Sequence, residues 1–255
     1  MPIEQSILYS GKVKLVFDSG RHQYHVNGKR VWGVTSIIGI LDKPALMYWA
    51  VNQAMEYLQR ELKPGIALDE VEIKSILAEA KRAHTVKKNK ATDIGTMTHG
   101  WIEKYIKAAT KREKLPKRPV NKEMNNAIDC FFNWMKKNKA KFISSERKIY
   151  SKKYKYAGMV DLDVKINGKR TVVDIKTSNG IYPEYFLQGV AYMIALEEEL
   201  KVKYDGGITI LQLPKEGSKL IPFNAQNING KEIAAYKKAF LGCLPIYNWK
   251  IDLKK

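Results

Sequence analysis

Cysteine is scarce in this 255-residue chain, with only Cys130 and Cys243 present. Two thiols cannot build a disulfide scaffold, a four-cysteine zinc site or a cysteine-ligated iron–sulfur cluster. Both sit among apolar neighbours, in Asp129-Cys130-Phe131-Phe132 and Leu241-Gly242-Cys243-Leu244. They are expected to be buried free thiols in a reducing compartment, the cytoplasm. Long apolar runs are missing too. No stretch approaches the ~20 apolar residues of a membrane span, and Met1-Pro2-Ile3-Glu4-Gln5 does not open a basic-then-apolar leader. No membrane association is expected. A Gly-x-x-x-x-Gly-Lys-[Ser/Thr] phosphate loop is absent, so no nucleotide-driven motor is expected. Neither an internal repeat nor a long low-complexity segment occurs.

Acidic residues are also in short supply: 26 Asp and Glu against 45 Lys and Arg, a net charge of +19. An excess of this size steers a protein toward polyanions, of which nucleic acid is the commonest. An anionic membrane would want a basic amphipathic helix or a lipid anchor, and neither stands out. The apolar fraction of 45% is that of an ordinary globular protein, and the length supports one good core with a small appendage.

The first third reads as strands at Val13 to Phe17, Gln23 to Val26 and Arg30 to Val34, with Asn27-Gly28 as a tight hairpin turn. Thr35 to Leu41 and Pro44 lead into a helix from Ala45 to Leu62, which Pro64-Gly65 stops. Asp69 is placed to cap a second helix reaching about Arg82. Lys87 to Lys90 reads as a basic loop, and a third helix runs from Asp93 or Gly95 to Ala109. Residues 110–120 read as an exposed connection. Asn121 to Lys137 has helical spacing, with Ile128, Phe131, Phe132 and Met135 toward a core. Thereafter strands dominate: Ile143 to Tyr150, Gly158 to Ile166 and Lys169 to Thr177. A helix from Pro183 or Glu184 to Leu200, a strand from Gly207 to Leu213 and a final helix from Lys231 to Leu241 follow. The fold class is α/β with a mixed central sheet flanked by helices. The expected division is an N-terminal hairpin and helical region, 1–92, packed on a core of 93–255.

Chemistry concentrates in one hairpin. Val160, Leu162, Val164 and Ile166 alternate with Asp161, Asp163 and Lys165, which predicts one core face and one polar face. Closing the hairpin at Asn167-Gly168 sets Ile166 opposite Lys169, Leu162 opposite Val173, Val160 opposite Ile175 and Asp161 opposite Asp174. Opposed like charges are destabilising, and a fold alone has no use for them. A divalent cation between two carboxylates turns repulsion into coordination. Oxygen ligands suit Mg2+ or Mn2+. Lys176, two residues past Asp174, would stand beside the same ion and could stabilise charge on a phosphate.

Gly158-Met159-Val160-Asp161 followed by Val173-Asp174-Ile175-Lys176-Thr177 resembles the signature of PD-(D/E)XK nucleases, in the RecB-like branch that lacks a literal Pro-Asp. Gln188-Gly189-Val190-Ala191-Tyr192 is similar to that branch's Gln-x-x-x-Tyr motif, and Gly95-Thr96-Met97-Thr98-His99 through Glu103 to its Gly-Thr-x-x-His-x-x-x-Glu helix. The resemblance covers about residues 95–192 and is nearest to phage-encoded exonucleases and the mitochondrial genome-maintenance exonuclease. A weaker echo of the phage proteins runs from Tyr24 to Trp49. It implies a restriction-endonuclease-like fold and metal-dependent hydrolysis of DNA phosphodiesters in phage biology or in recombination, repair or replication. Asp161, Asp174 and Lys176 would be catalytic, with His99, Asp161, Asp174 and the Ile175 carbonyl on the metal. Glu103, Thr177, Ser178, Gln188 and Tyr192 would position substrate, and Glu146 would help to hold any second metal. No iron–sulfur cluster is implied. The location would be cytoplasmic, in the host if phage-encoded. Exonuclease is the reading the resemblance implies. A structure-specific endonuclease and a non-catalytic nucleic-acid-binding module are the alternatives. Polarity, strandedness, DNA against RNA, the number of metals and the oligomeric state stay open.

Overall fold

The structure, a computed structural model, describes residues 3–178, 180–214 and 223–253. The chain opens with an antiparallel meander of β1 (Ile3–Leu8), β2 (Val13–Asp18), β3 (Gln23–Val26) and β4 (Lys29–Gly33). Asn27 and Gly28 take φ values of 48° and 81°, the left-handed pair that a two-residue hairpin turn requires. Strand β1 is absent from the sequence reading because its pattern is weak: Ile3 and Ile7 remain exposed and Glu4, Gln5 and Ser6 separate them.

A short helix, α1 (Val34–Ile38), follows directly, then α2 (Pro44–Glu61) and α3 (Glu70–Lys111). Where two helices and a basic loop were expected, α3 is one helix of 42 residues. Lysine is a good helix former, and no proline interrupts residues 70–111, so Lys87 to Lys90 continue the helix. Asp69 does cap it. Its carboxylate accepts from the Glu72 amide at 2.7 Å while the Glu72 carboxylate accepts from the Asp69 amide at 2.9 Å, a reciprocal capping box.

The remainder is α4 (Lys122–Lys137), β5 (Lys141–Ser151), β6 (Tyr156–Ile166), β7 (Lys169–Lys176), α5 (Pro183–Leu200), β8 (Ile208–Gln212), β9 (Asn224–Ile228) and α6 (Gly230–Asp252). The final helix runs well past the expected end at Leu241 and carries Pro245 in its interior. A proline there deletes one helical hydrogen bond. Burial of Phe240, Cys243 and Tyr247 holds the turns on either side. Strand β9 also went unread, because Asn224, Ala225, Gln226 and Asn227 offer no apolar alternation.

The protein is mixed α/β, with a mixed open sheet flanked by helices. Strands β5, β6 and β7 are antiparallel, α5 crosses over to β8 parallel to β7, and β9 is antiparallel at the edge. Helices α1, α5 and α6 share one apolar cluster with Val160, Val172, Ile208 and Ile210. Ile102 and Ile106 of α3 and Phe131 and Trp134 of α4 share another with Leu162, Val164, Val173 and Ile175. Both cysteines are buried and free.

The chain divides into two compact units, one of Met1–Ile40 with Thr98–Lys255 and one of Leu41–Met97. The first strands belong with the core because β4 pairs parallel to β6, Trp32 with Tyr156 and Gly33 with Ala157. Within the smaller unit, Lys87 Nζ donates to Gln53 Oε1 at 2.7 Å and the rings of Trp49 and His84 meet edge-on.

Candidate metal centre

The site grows from an interruption in β6. The β6–β7 ladder has the expected register, Ile166 with Lys169 through Leu162 with Val173. There it stops. Strand β5 pairs with β6 from Tyr156 to Lys165 along one edge, so β4 and β7 must share the other. Strand β4 takes Tyr156 and Ala157, β7 takes Leu162 onward, and on that edge residues 158–161 lie between them without a ladder partner. The Ile175 amide does not continue the ladder but donates to Asp161 Oδ2 at 2.7 Å. The expected opposition of Asp161 and Asp174 therefore lies just beyond the last ladder pair. Expected pairing of Val160 with Ile175 on one face is not found. Val160 belongs to the cluster of α5 and Ile175 to that of α3 and α4, because the pleat inverts at Asp161.

The matching irregularity in β5 is Glu146. Ser145 pairs with Leu162 and Arg147 with Val160, which leaves Glu146 opposite Asp161. Its φ is 48°, a left-handed conformation that costs a non-glycine residue about 1–2 kcal/mol. Strain of this kind inside a strand turns the carboxylate out of the ordinary alternation. His99 comes from α3, with Nδ1 3.7 Å from Asp161 Oδ2. One ligand atom each from His99, Glu146 and Asp161 lie within 4.8 Å of one another. Glu146, the acid expected to help hold any second metal, thus groups with His99 and Asp161.

Asp174 is wholly buried. Its Oδ2 lies 2.7 Å from Lys176 Nζ in a buried ion pair, and among the described residues Oδ1 has no hydrogen-bond partner. Lys176 Nζ also donates to Gln188 Oε1 at 3.1 Å, and Gln188 Nε2 donates to the Tyr192 hydroxyl at 2.6 Å. The four-residue spacing of Gln188 and Tyr192 on α5 makes that relay possible. Two glycines have no room for a side chain, one of them against the relay. A Cβ on Gly158 would stand 2.6 Å from the Tyr192 ring, and one on Gly189 would stand 2.4 Å from Ile208.

Electrostatics are strained throughout. Burial, then the charges of Asp161 and Glu103, push Glu146 up to about 8 against the pull of Lys148 and Lys107. Burial pushes Asp174 up to about 6, with Lys176 opposing and Asp161 adding to the rise. Burial also raises Asp161, although Lys176 and the Ile175 amide favour its charged form. At Lys176 burial opposes the charge, but the carboxylates of Asp174 and Asp161 outweigh it and hold the ammonium above its ordinary value. Lys176 faces both Asp161 and Asp174, and Glu146 feels Lys148 and Lys107 instead.

Other predicted residues have different surroundings. Glu103 forms an ion pair one turn along α3 with Lys107 and sits near enough to Glu146 to raise it. Thr177 and Ser178 follow β7, and the Ser178 hydroxyl donates to the Gly180 carbonyl at 2.8 Å. Asp163, expected on a polar face, is buried. Arg170 grips both its oxygens and the Tyr204 hydroxyl donates to it at 2.9 Å, so it serves the fold.

No family model matches the chain, and no curated protein matches it. Among solved structures it is similar to one described as SSO0001, with 13% identity over 77% of this chain and 85% of that one. The TM-score is 0.24, too low to bear on fold or function. No helix among the described residues is long and apolar enough to cross a membrane.

Proposed function

We propose that the protein is a metal-dependent deoxyribonuclease of the PD-(D/E)XK type, with a restriction-endonuclease-like core, and that it works as an exonuclease in the cytoplasm. The observation that carries the reading is the convergence of ligand atoms from His99, Glu146 and Asp161 beside the buried Asp174–Lys176 ion pair. Among the described residues Asp174 Oδ1 has no partner, and because buried polar atoms are almost always satisfied, that oxygen supports a bound species there. The donor set fits a divalent cation. Carboxylate oxygens suit Mg2+ and Mn2+, and the imidazole favours Mn2+. His99, Glu146 and Asp161 would hold it, with Asp174 and the Ile175 carbonyl adjoining. When bound, such an ion supplies Lewis acidity toward a phosphoryl oxygen and toward water.

The chain's own residues would do the rest. Lys176, protonated and anchored by Asp174 and Gln188, presents positive charge to a pentavalent phosphate. Tyr192 fixes Gln188, and Gln188 fixes Lys176. Thr177 and Ser178, just after β7, would meet the scissile strand. The excess of lysine and arginine would hold the DNA backbone.

End-labelled linear DNA and covalently closed circular DNA, incubated with Mg2+, with Mn2+ and with EDTA, test this. Shortening of linear DNA alone, only with metal, is the expected result. Cutting of circles would make it an endonuclease. Folded protein that binds DNA but cuts neither form in either metal would make it a binding module and refute the proposal.

A further inference from the structure

A cavity of about 470 Å³ lies in the larger unit and shares no lining residue with the acid cluster. Its volume is that of ordinary small-ligand sites, ~300–1,000 Å³. Lys29 and Arg30 on β4, Lys155 in the turn between β5 and β6, and Asn248 on α6 supply polar groups, and Trp32 and Tyr154 supply aromatic surface. None of the described lining residues is acidic. Lys29, Arg30 and Lys155 are exposed at the mouth, and no carboxylate among the described residues pairs with them. Glu198 is engaged by the Ser151 hydroxyl at 2.6 Å and the Lys153 amide at 3.1 Å, and the Ser151 hydroxyl oxygen in turn accepts from the Tyr154 amide.

The arrangement at the mouth is preformed. The Arg30 guanidinium lies 4.3 Å from the centre of the Trp32 ring, and Trp32 is itself braced edge-on by Tyr247 at 5.4 Å. Stacking on an indole fixes the plane of a guanidinium and leaves its N–H edge free to take a phosphate in a two-pronged contact. An uncompensated trio of cations beside aromatic rings suits a ligand with both phosphate and a flat ring. We propose that this cavity is a second nucleic-acid contact, binding one phosphorylated nucleotide of a strand. The choice of nucleic acid over other aromatic anions rests on the nuclease reading; the site itself does not. Its backbone reference, Tyr156 opposite Trp32, stands five residues from Asp161 along β6. At ~3.3 Å per residue that is ~17 Å, or about five base pairs at ~3.4 Å each.

The test uses full-length protein in EDTA, so that cutting plays no part, and a fluorescent dT20 oligonucleotide read by anisotropy at several salt concentrations. Replacing Lys29 and Lys155 together by alanine should weaken binding and lower the slope of log K against log salt by about 1.4, about 0.7 for each lost contact to a single strand. A matched pair on α6, Lys237→Ala with Lys238→Ala, should leave the slope unchanged. An unchanged slope in the first pair, or the same fall in both, overturns the proposal. Unlabelled dTMP should lower the wild-type salt slope toward that of the first pair at lower concentration than inorganic phosphate does. Equal potency reduces the cavity to an anion site and overturns its nucleotide character. Wild type that cuts DNA but shows no effect of the first pair refutes this contact while sparing the nuclease; the converse refutes the nuclease alone.

Discussion

Glu146 combines left-handed backbone, burial and two neighbouring acids in one residue. Its folded value of about 8 stands above the ordinary 4.5, so the folded state binds this proton more tightly than the unfolded chain does. The stability that follows is complete below ~4.5 and is lost as pH rises through about 8. Asp174, at about 6 against 3.8, adds a loss of the same sign at lower pH. Metal-free protein should therefore melt at a lower temperature at pH 8.5 than at pH 5.5. Glu146→Gln, which cannot ionise, should melt higher than wild type at pH 8.5, by about 2–4 °C for each kcal/mol recovered. Calorimetric or fluorescence melts across pH in EDTA would show it, and parallel curves for the two proteins would speak against it. Lysine at 176 poses a different question. Lys176→Met should abolish DNA cutting while leaving oligonucleotide binding within about twofold, since one phosphate contact among many carries little of the affinity.

At the scale of elements, the hairpin of β6 and β7 was open to reading. Asn167-Gly168 fixes its turn and alternating valines fix its faces, so the register could be counted from the turn. The inversion at Asp161 was not legible, because it arises from β4 and β7 sharing one edge of β6, and nothing local announces where β4 docks. Glu146 was recognisable as an acid before the hairpin, but its place opposite Asp161 depends on a β5–β6 connection that lacks a two-residue turn signal. The unbroken α3 was hidden by a run of like charges that resembles a loop and by Gly95, which resembles a boundary. Glycine at 158 ties α5 to β6. Gly158→Ala forces the Tyr192 ring away from a 2.6 Å approach, an overpacking that costs about 1–3 kcal/mol. It should also disturb Gln188 and with it Lys176. The expected outcome is a melting temperature lower by ~2–12 °C together with a fall in the cutting rate; loss of stability with full activity would show that the relay from Tyr192 is not needed.

For the whole molecule, charge and architecture answer to different causes. A net charge of +19 governs how strongly a polyanion is held, and that term falls steeply with salt. The architecture decides which side chains meet, and it brings His99 from a helix, Glu146 and Asp161 from adjacent strands and Asp174 with Lys176 from a third into one place. The most direct measurement is titration of metal-free protein with Mn2+ in a calorimeter, with melts at each step, for wild type and for Asp161→Asn with Glu146→Gln. Saturable binding by wild type is expected, with a rise of about 5–10 °C once the ion reaches ~100 times its dissociation constant, where it contributes about 2.7 kcal/mol, and neither effect in the variant. Equal Mn2+ binding and equal melting shifts in both proteins would contradict the assignment of these residues to a metal.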